Sequence, residues 1–192
     1  MGNSYKDLIK QAQSKAMEIR RKQKLDLKSP ICIYDVSQEL ELTIQFVPLA
    51  GLEGMYLNEE EGQRILVSSL RPLPRQVFTC AHELGHHLFE HGLKFDEMEK
   101  VSLIKQRDPK EFLVDCFAGF LLMPKIAVYN AFTLRAWTPA TASPKQIFTI
   151  ACSFGVGYST LIDHMTYSLQ MLSESKSREL KKFTPKKNSS VN

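Results

Sequence analysis

Tyr5, Leu8, Ile9, Ala12, Ala16 and Ile19 recur at the three-and-four spacing of a helix, with Lys and Arg residues between them. The spacing predicts an opening amphipathic helix whose basic run is a solvated face. Ser29 and Pro30 read as N-cap and first position of a second helix that reaches about Glu39. The period then shortens. Three β-rich runs, Thr43 to Val47, Gly54 to Leu57 and Arg64 to Ser68, are punctuated by Gly51, Gly54, Asn58 and Gly62, and predict a small three-stranded antiparallel sheet. From Pro74 helical spacing returns, with Val77, Phe78, Ala81, Leu84, Gly85 and Leu88 in one stripe. A polar connection from Lys94 to Pro109 leads to a helix over about Lys110 to Met123 that is apolar on every face and therefore buried. Pro124 ends it and starts another helix reaching Phe132.

Two short helices are expected between Pro144 and Leu169. Ala151, Gly155, Val156 and Leu161 fall where a helix-turn-helix places its small packing residue, turn glycine and core aliphatics. The second helix should begin near Ser159 and expose Thr160, Asp163, His164 and Tyr167. None of these is Lys or Arg, so direct DNA binding is not expected. The last stretch, SKSRELKKFTPKKNSSVN, is poor in apolar residues and reads as disordered. The pattern therefore predicts an α+β fold: a mostly helical domain with a small sheet at 1–135, a helix-turn-helix-like pair packed on it at 136–172, and a basic tail at 173–192.

A chain of 192 residues, 43% hydrophobic and 24% charged, suffices for one sizeable core. The net charge of +4 points to nucleic acid until it is divided along the chain. Residues 1–28 carry eight Lys/Arg against three Asp/Glu and residues 173–192 six against two, which leaves the body at eleven against sixteen, or −5. The start, MGNSYKDLIKQAQ, lacks the apolar stretch of a secretory signal, and the run Phe112 to Met123 is shorter than the roughly 20 residues of a membrane helix. Cys32, Cys80, Cys116 and Cys152 form no CxxC pair and read as buried free thiols of a cytoplasmic protein.

The chemistry lies in AHELGHH. His82, Glu83 and His86 make the H-E-x-x-H pattern, in which two imidazoles one turn apart share a metal beside a carboxylate. At about 100° per residue the two histidines stand about 40° apart, with Glu83 next to them and all three outside the apolar stripe. His87 and His91 read as part of a polar face, with His91 kept as a candidate beside a ligand or on the substrate side. A catalytic zinc takes three protein ligands and leaves one position open. Glu111 and Asp115 are the only acids on the buried helix and share a face one turn apart. They suit a third ligand and an acceptor for a metal-bound imidazole N–H, respectively. The alternative is that Glu111 merely favours the helix start near Asp108 and Pro109 while Asp115 pairs with an Arg.

FTCAHELGHH followed by EFLVDCFAGFLLMP resembles the ImmA/IrrE family of zinc metallopeptidases, and GMYLN with RILVSSLRPLPRQVF is similar to that family's upstream segments. The likeness runs from about Asp35 to Pro124, with Val114 where the family commonly has a small residue. It implies a zincin-like fold, one zinc per chain on His82, His86 and Glu111, Glu83 as general base, and Asp115 beside a ligand. It also implies a protein substrate, a helix-turn-helix repressor of a mobile element or stress response. Ile65, Leu66, Val67, Ser68 and Ser69 are expected to form the edge strand that holds an extended substrate. Tyr56, His91, Tyr158 and His164 are all conceivable oxyanion donors. A regulator with a structural zinc, and a toxin using the same site, are the competing readings.

Overall fold

Helix α1 (Tyr5–Lys22) buries Leu8, Ala12, Ala16 and Ile19 along one stripe, as its spacing requires. In the computed structural model, which describes residues 4–59, 62–91, 94–97 and 108–183, that stripe lies along helix α4 (Pro109–Leu122). Tyr5 meets Phe112 edge to face at 4.8 Å near the start of α4, and Arg20 donates from Nε to the carbonyl of Leu121 at 2.9 Å near its end. The two helices therefore run parallel. Arg20 departs from the expected solvated face, because it is fully buried. Its guanidinium also donates to the carbonyls of Asp26 (2.6 Å) and Ser29 (3.4 Å), and backbone oxygens at the negative end of α4 make that burial tolerable. Desolvation still lowers its pKa to about 10.

Helix α2 (Ile33–Glu39) starts three residues after Pro30, with Cys32 as its N-cap. Ser29 cannot cap it, since its hydroxyl donates to the Asp26 carboxylate in a local turn.

The sheet contains β1 (Thr43–Val47), β2 (Leu52–Glu59), β3 (Gly62–Ser68) and β4 (Lys94–Glu97), in the order β1-β3-β2-β4. This corrects the expected sheet in three ways. First, β1 runs parallel to β3, with Thr43 opposite Arg64 and Val47 opposite Ser68, while β2 is antiparallel to both β3 and β4. Alternation identifies a strand and says nothing of its partner. Second, a fourth strand lies in the segment read as a connection, because four residues, Lys-Phe-Asp-Glu, are too short and too charged to carry a strand signal. Third, β3 is no edge: both its sides are paired, and Ile65, Val67 and Ser68 are fully buried. Among the described residues the outer strands are β1 and β4.

Helix α3 (Leu73–Leu88) packs on the sheet through β2 and β3 and on α4 from its other flank. Asp108 caps α4 by accepting from the Lys110 N–H at 2.8 Å, and Pro109 fills the first helical position, where a missing N–H costs nothing. Beyond Pro124 come α5 (Lys125–Thr133), α6 (Pro144–Ser153) behind a Ser143/Gln146 capping box, and α7 (Tyr158–Asp163), which continues as a π turn over His164–Ser168. Gly155, at φ +65°, makes the expected turn between α6 and α7. His164, expected outside, is buried with Nε2 3.0 Å from the carbonyl of Met123. Gly119 of α4 leaves the space for its ring, since a Cβ there would stand 2.6 Å from Nδ1.

The tail expected to be disordered begins as helix α8 (Glu174–Lys181), packed on α7. Leu180 is fully buried, its carbonyl accepts from the Tyr158 hydroxyl at 3.0 Å, and Lys181 pairs with Asp163. Residues 184–192 lie outside the described residues. One cluster of buried apolar residues extends from Leu8 to Leu180. Cys80 and Cys116 are buried as expected, whereas Cys32 and Cys152 are exposed. Among the described residues no single helix is long and apolar enough to cross a membrane.

Candidate metal centre

Every residue of α3 from Thr79 to His86 is buried, so the helix carrying the H-E-x-x-H pattern is covered over about two turns. Two glycines let its neighbours approach. A Cβ on Gly85 would lie 3.0 Å from the Val114 Cβ and 3.1 Å from the Phe117 ring, which shows how closely α4 crosses α3. A Cβ on Gly54 of β2 would lie 2.4 Å from the Thr79 Cγ2, 3.1 Å from the Leu66 carbonyl oxygen and 3.2 Å from the Glu83 Cγ. Glu83 thus stands against β2, and it is fully buried.

The close α3–α4 contact brings the fourth turn of one helix onto the first turn of the other. His82 Nε2 and His86 Nε2 stand 3.0 Å apart, and a Glu111 carboxylate oxygen lies 3.3 Å from the first and 3.5 Å from the second. The three residues offer ligand atoms within 4.8 Å of one another. Two imidazole lone pairs facing each other at that separation are unfavourable without a proton or a cation between them, and the His₂Glu donor set suits Zn²⁺. The residues present fit a metal ion.

Both imidazoles are oriented from behind. His82 Nδ1 is 2.8 Å from the Asp115 carboxylate, the acceptor that fixes a ligating tautomer. His86 Nδ1 is 3.1 Å from Nδ1 of His91. Glu111 and Asp115 were expected to be buried, but their side chains keep 32% and 22% of their exposure, so the centre opens to solvent on the α4 side. Hydrogen bonds from His82, then His86, hold the Glu111 carboxyl well below the usual carboxylate range despite partial desolvation.

The remaining candidates separate from the site. Tyr56 bonds through its hydroxyl to His87 Nδ1 at 2.9 Å, on the sheet side of α3, and burial lowers the His87 pKa. Tyr158 and His164 are committed to the Leu180 and Met123 carbonyls. His91 alone of the four named oxyanion candidates touches the ligand set. Of the expected strand residues, Ile65 to Ser68 lie in β3 and Ser69 just beyond it, and Ser68 meets the first turn of α3, where Gln76 donates to its carbonyl at 3.3 Å. Gly54 was missed as a site residue: read as strand punctuation, it is the point where β2 touches Glu83.

Residues 38–165 match a family model described as the IrrE N-terminal-like domain of the M78 peptidases. A Mycobacterium tuberculosis transcriptional regulator of known structure is similar with a TM-score of 0.53 at 14% identity, the match covering 81% of this chain and 46% of that one. At this identity the likeness shows the fold, and the chain spans less than half of that regulator. A search of curated proteins finds no match.

Proposed function

Since the chain belongs to the M78 metallopeptidase family, we propose that it is a zinc-dependent endopeptidase of the cytoplasm that cuts a protein substrate, with His82, His86 and Glu111 holding one Zn²⁺ and Glu83 acting as general base. The observation that carries this reading is the convergence of two imidazole Nε2 atoms and one carboxylate oxygen beside a buried glutamate.

A zinc ion held by His82, His86 and Glu111 would supply Lewis acidity toward a peptide carbonyl and an attacking water. Glu83 then takes a proton from the attacking water onto its carboxylate and passes it to the leaving amine. Full burial against β2 keeps that carboxylate away from bulk solvent, where a proton would be lost to water. Asp115 faces the His82 ring from its Nδ1 side.

A folded surface cannot reach a base with no exposure, so the substrate must offer an extended segment. The strand beside β2 is β4, whose Asp96 is paired with Gly54. Its outer backbone edge, one strand spacing of about 4.8 Å farther out, replaces β3 as the place for such a segment to add by strand pairing. The family resemblance supports a DNA-binding repressor as the substrate, cut in an exposed linker rather than within a packed helix. The test is coexpression with candidate helix-turn-helix repressors, followed by mass spectrometry of fragments. A zinc-loaded protein whose Glu83→Gln variant keeps its metal and loses cleavage at least 100-fold is expected. Fragments that persist in that variant would overturn the mechanism, and their absence with wild type would favour a regulator that binds without cutting.

A further inference from the structure

Helix α3 ends in a hydrogen-bonded cap that reaches back to the metal centre. The Glu90 N–H donates to the His87 carbonyl and the His91 N–H to the His86 carbonyl, both at 3.1 Å, with Glu90 at φ 55° in the left-handed region. These are the two reversed bonds of a Schellman motif, which sets the second residue beyond the cap against the third residue from the helix end. An apolar contact usually joins those positions. Here they are His91 and His86, and the contact is polar: Nδ1 to Nδ1 at 3.1 Å, with ring centroids 5.3 Å apart. The His91 ring also stacks on Phe89 at 5.8 Å and 23°, and Phe89 meets Phe117 of α4 edge on at 5.7 Å.

We propose that His91 is a positioning residue for the metal ligand His86, delivered to it by the cap that ends α3. This rests on the metal-site reading above. With His86 Nε2 turned toward His82 and Glu111, the ring hydrogen of His86 sits on Nδ1, and a second N–H cannot face it at 3.1 Å. His91 Nδ1 is therefore the acceptor, and its own hydrogen is on Nε2. The two ligands are thus oriented by unlike groups. His82 has a carboxylate and His86 a neutral imidazole, and a neutral acceptor makes roughly half as strong a bond. Loss of the His91 acceptor is expected to weaken zinc binding about tenfold, the lower end of the range for such partners.

Two variants of the full chain separate positioning from packing. His91→Phe keeps a ring to stack on Phe89 and removes the acceptor, whereas His91→Asn gives up the ring and places an amide oxygen where Nδ1 stood. Zn²⁺ affinity is measured by competition with a chromogenic chelator, and the ligand field by the visible absorption of the Co²⁺-loaded protein. Positioning predicts about a tenfold loss of affinity and altered Co²⁺ bands in His91→Phe, with His91→Asn within about threefold of wild type. Wild-type affinity and spectrum in His91→Phe overturn the proposal while leaving the metal site intact. A loss in His91→Asn equal to or larger than that in His91→Phe also overturns it and makes His91 a packing residue. Wild-type protein that binds neither Zn²⁺ nor Co²⁺ overturns the metal reading, and this inference with it.

Discussion

Replacing Gly54 with alanine tests how the strand and the proposed base are held together. The added methyl would stand 2.4 Å from the Thr79 Cγ2, inside any real contact distance, so one side must move. Thr79 is 2% exposed, and its branched Cβ restricts χ1, so its methyl has nowhere to swing. The Leu66 carbonyl at 3.1 Å is the backbone of the paired strand and cannot yield cheaply. Overpacking of this kind costs about 1–3 kcal/mol. At about 2–4 °C per kcal/mol for a chain of this size, the melting temperature should fall by roughly 2–12 °C. Thr79→Ser removes the clashing methyl, so the double variant should regain much of the loss, with a coupling of about 0.5–3 kcal/mol. Cleavage should not recover in parallel, because the new methyl still presses on the Glu83 Cγ at 3.2 Å. Denaturant unfolding of the four proteins gives the coupling, and substrate turnover per bound zinc gives the positioning effect. Additive stabilities, or a Gly54→Ala protein as stable and active as wild type, would refute the close-approach argument.

Glu111→Ala is expected to lose most of its zinc, whereas Asp115→Asn weakens binding by roughly 10–100-fold; metal analysis after dialysis distinguishes them, and equal retention in Glu111→Ala and wild type means the third ligand is another residue. His164 has its pKa lowered to about 4 by burial, opposed by its bond to the Met123 carbonyl. The unfolded chain therefore binds a proton near pH 6.5 that the folded chain refuses, so the contribution is whole above pH 6.5 and is lost as pH falls toward about 4, to a total of about 3 kcal/mol. His164→Gln keeps an N–H for the Met123 carbonyl without titrating, and unfolding curves at pH 7, 5.5 and 4.5 should show a shallower pH dependence in the variant; equal slopes contradict the assignment.

Helices were legible wherever an apolar stripe met a solvated face, and the sheet was legible strand by strand. What failed was partnership. Arg20 belongs by spacing to the polar side of α1, yet the carbonyls of Leu121, Asp26 and Ser29 converge where its guanidinium can reach them. No local pattern in α1 reports that convergence. His164 was placed outside for the same reason, because the cavity that accepts it is made by Gly119, a residue 45 positions away that contributes only by lacking a side chain. β4 was lost to brevity, and β3, expected as an edge, is an inner strand paired on both sides.

The proposed ligands and the residues that face them differ in how visible they are, and the difference is physical. A metal shared by two imidazoles on one helix demands a one-turn spacing, so His82 and His86 announce themselves, and a buried helix with two acids narrows the third ligand to Glu111 or Asp115. Orientation makes no such demand on sequence, since any acceptor from any element will serve. Asp115 was found because it shares a helix face with Glu111. His91 was kept as a candidate beside a ligand or on the substrate side, yet face-counting named no partner for it: α-helical geometry puts it far from His86, but a helix that stops at Leu88 and turns through a left-handed residue brings position i+5 back onto position i. Gly54 carried the weakest signal of all. A glycine inside a strand marks either a bulge or a close backbone approach, and what approaches, here Thr79 and Glu83 from another element, becomes visible only once the sheet lies on α3.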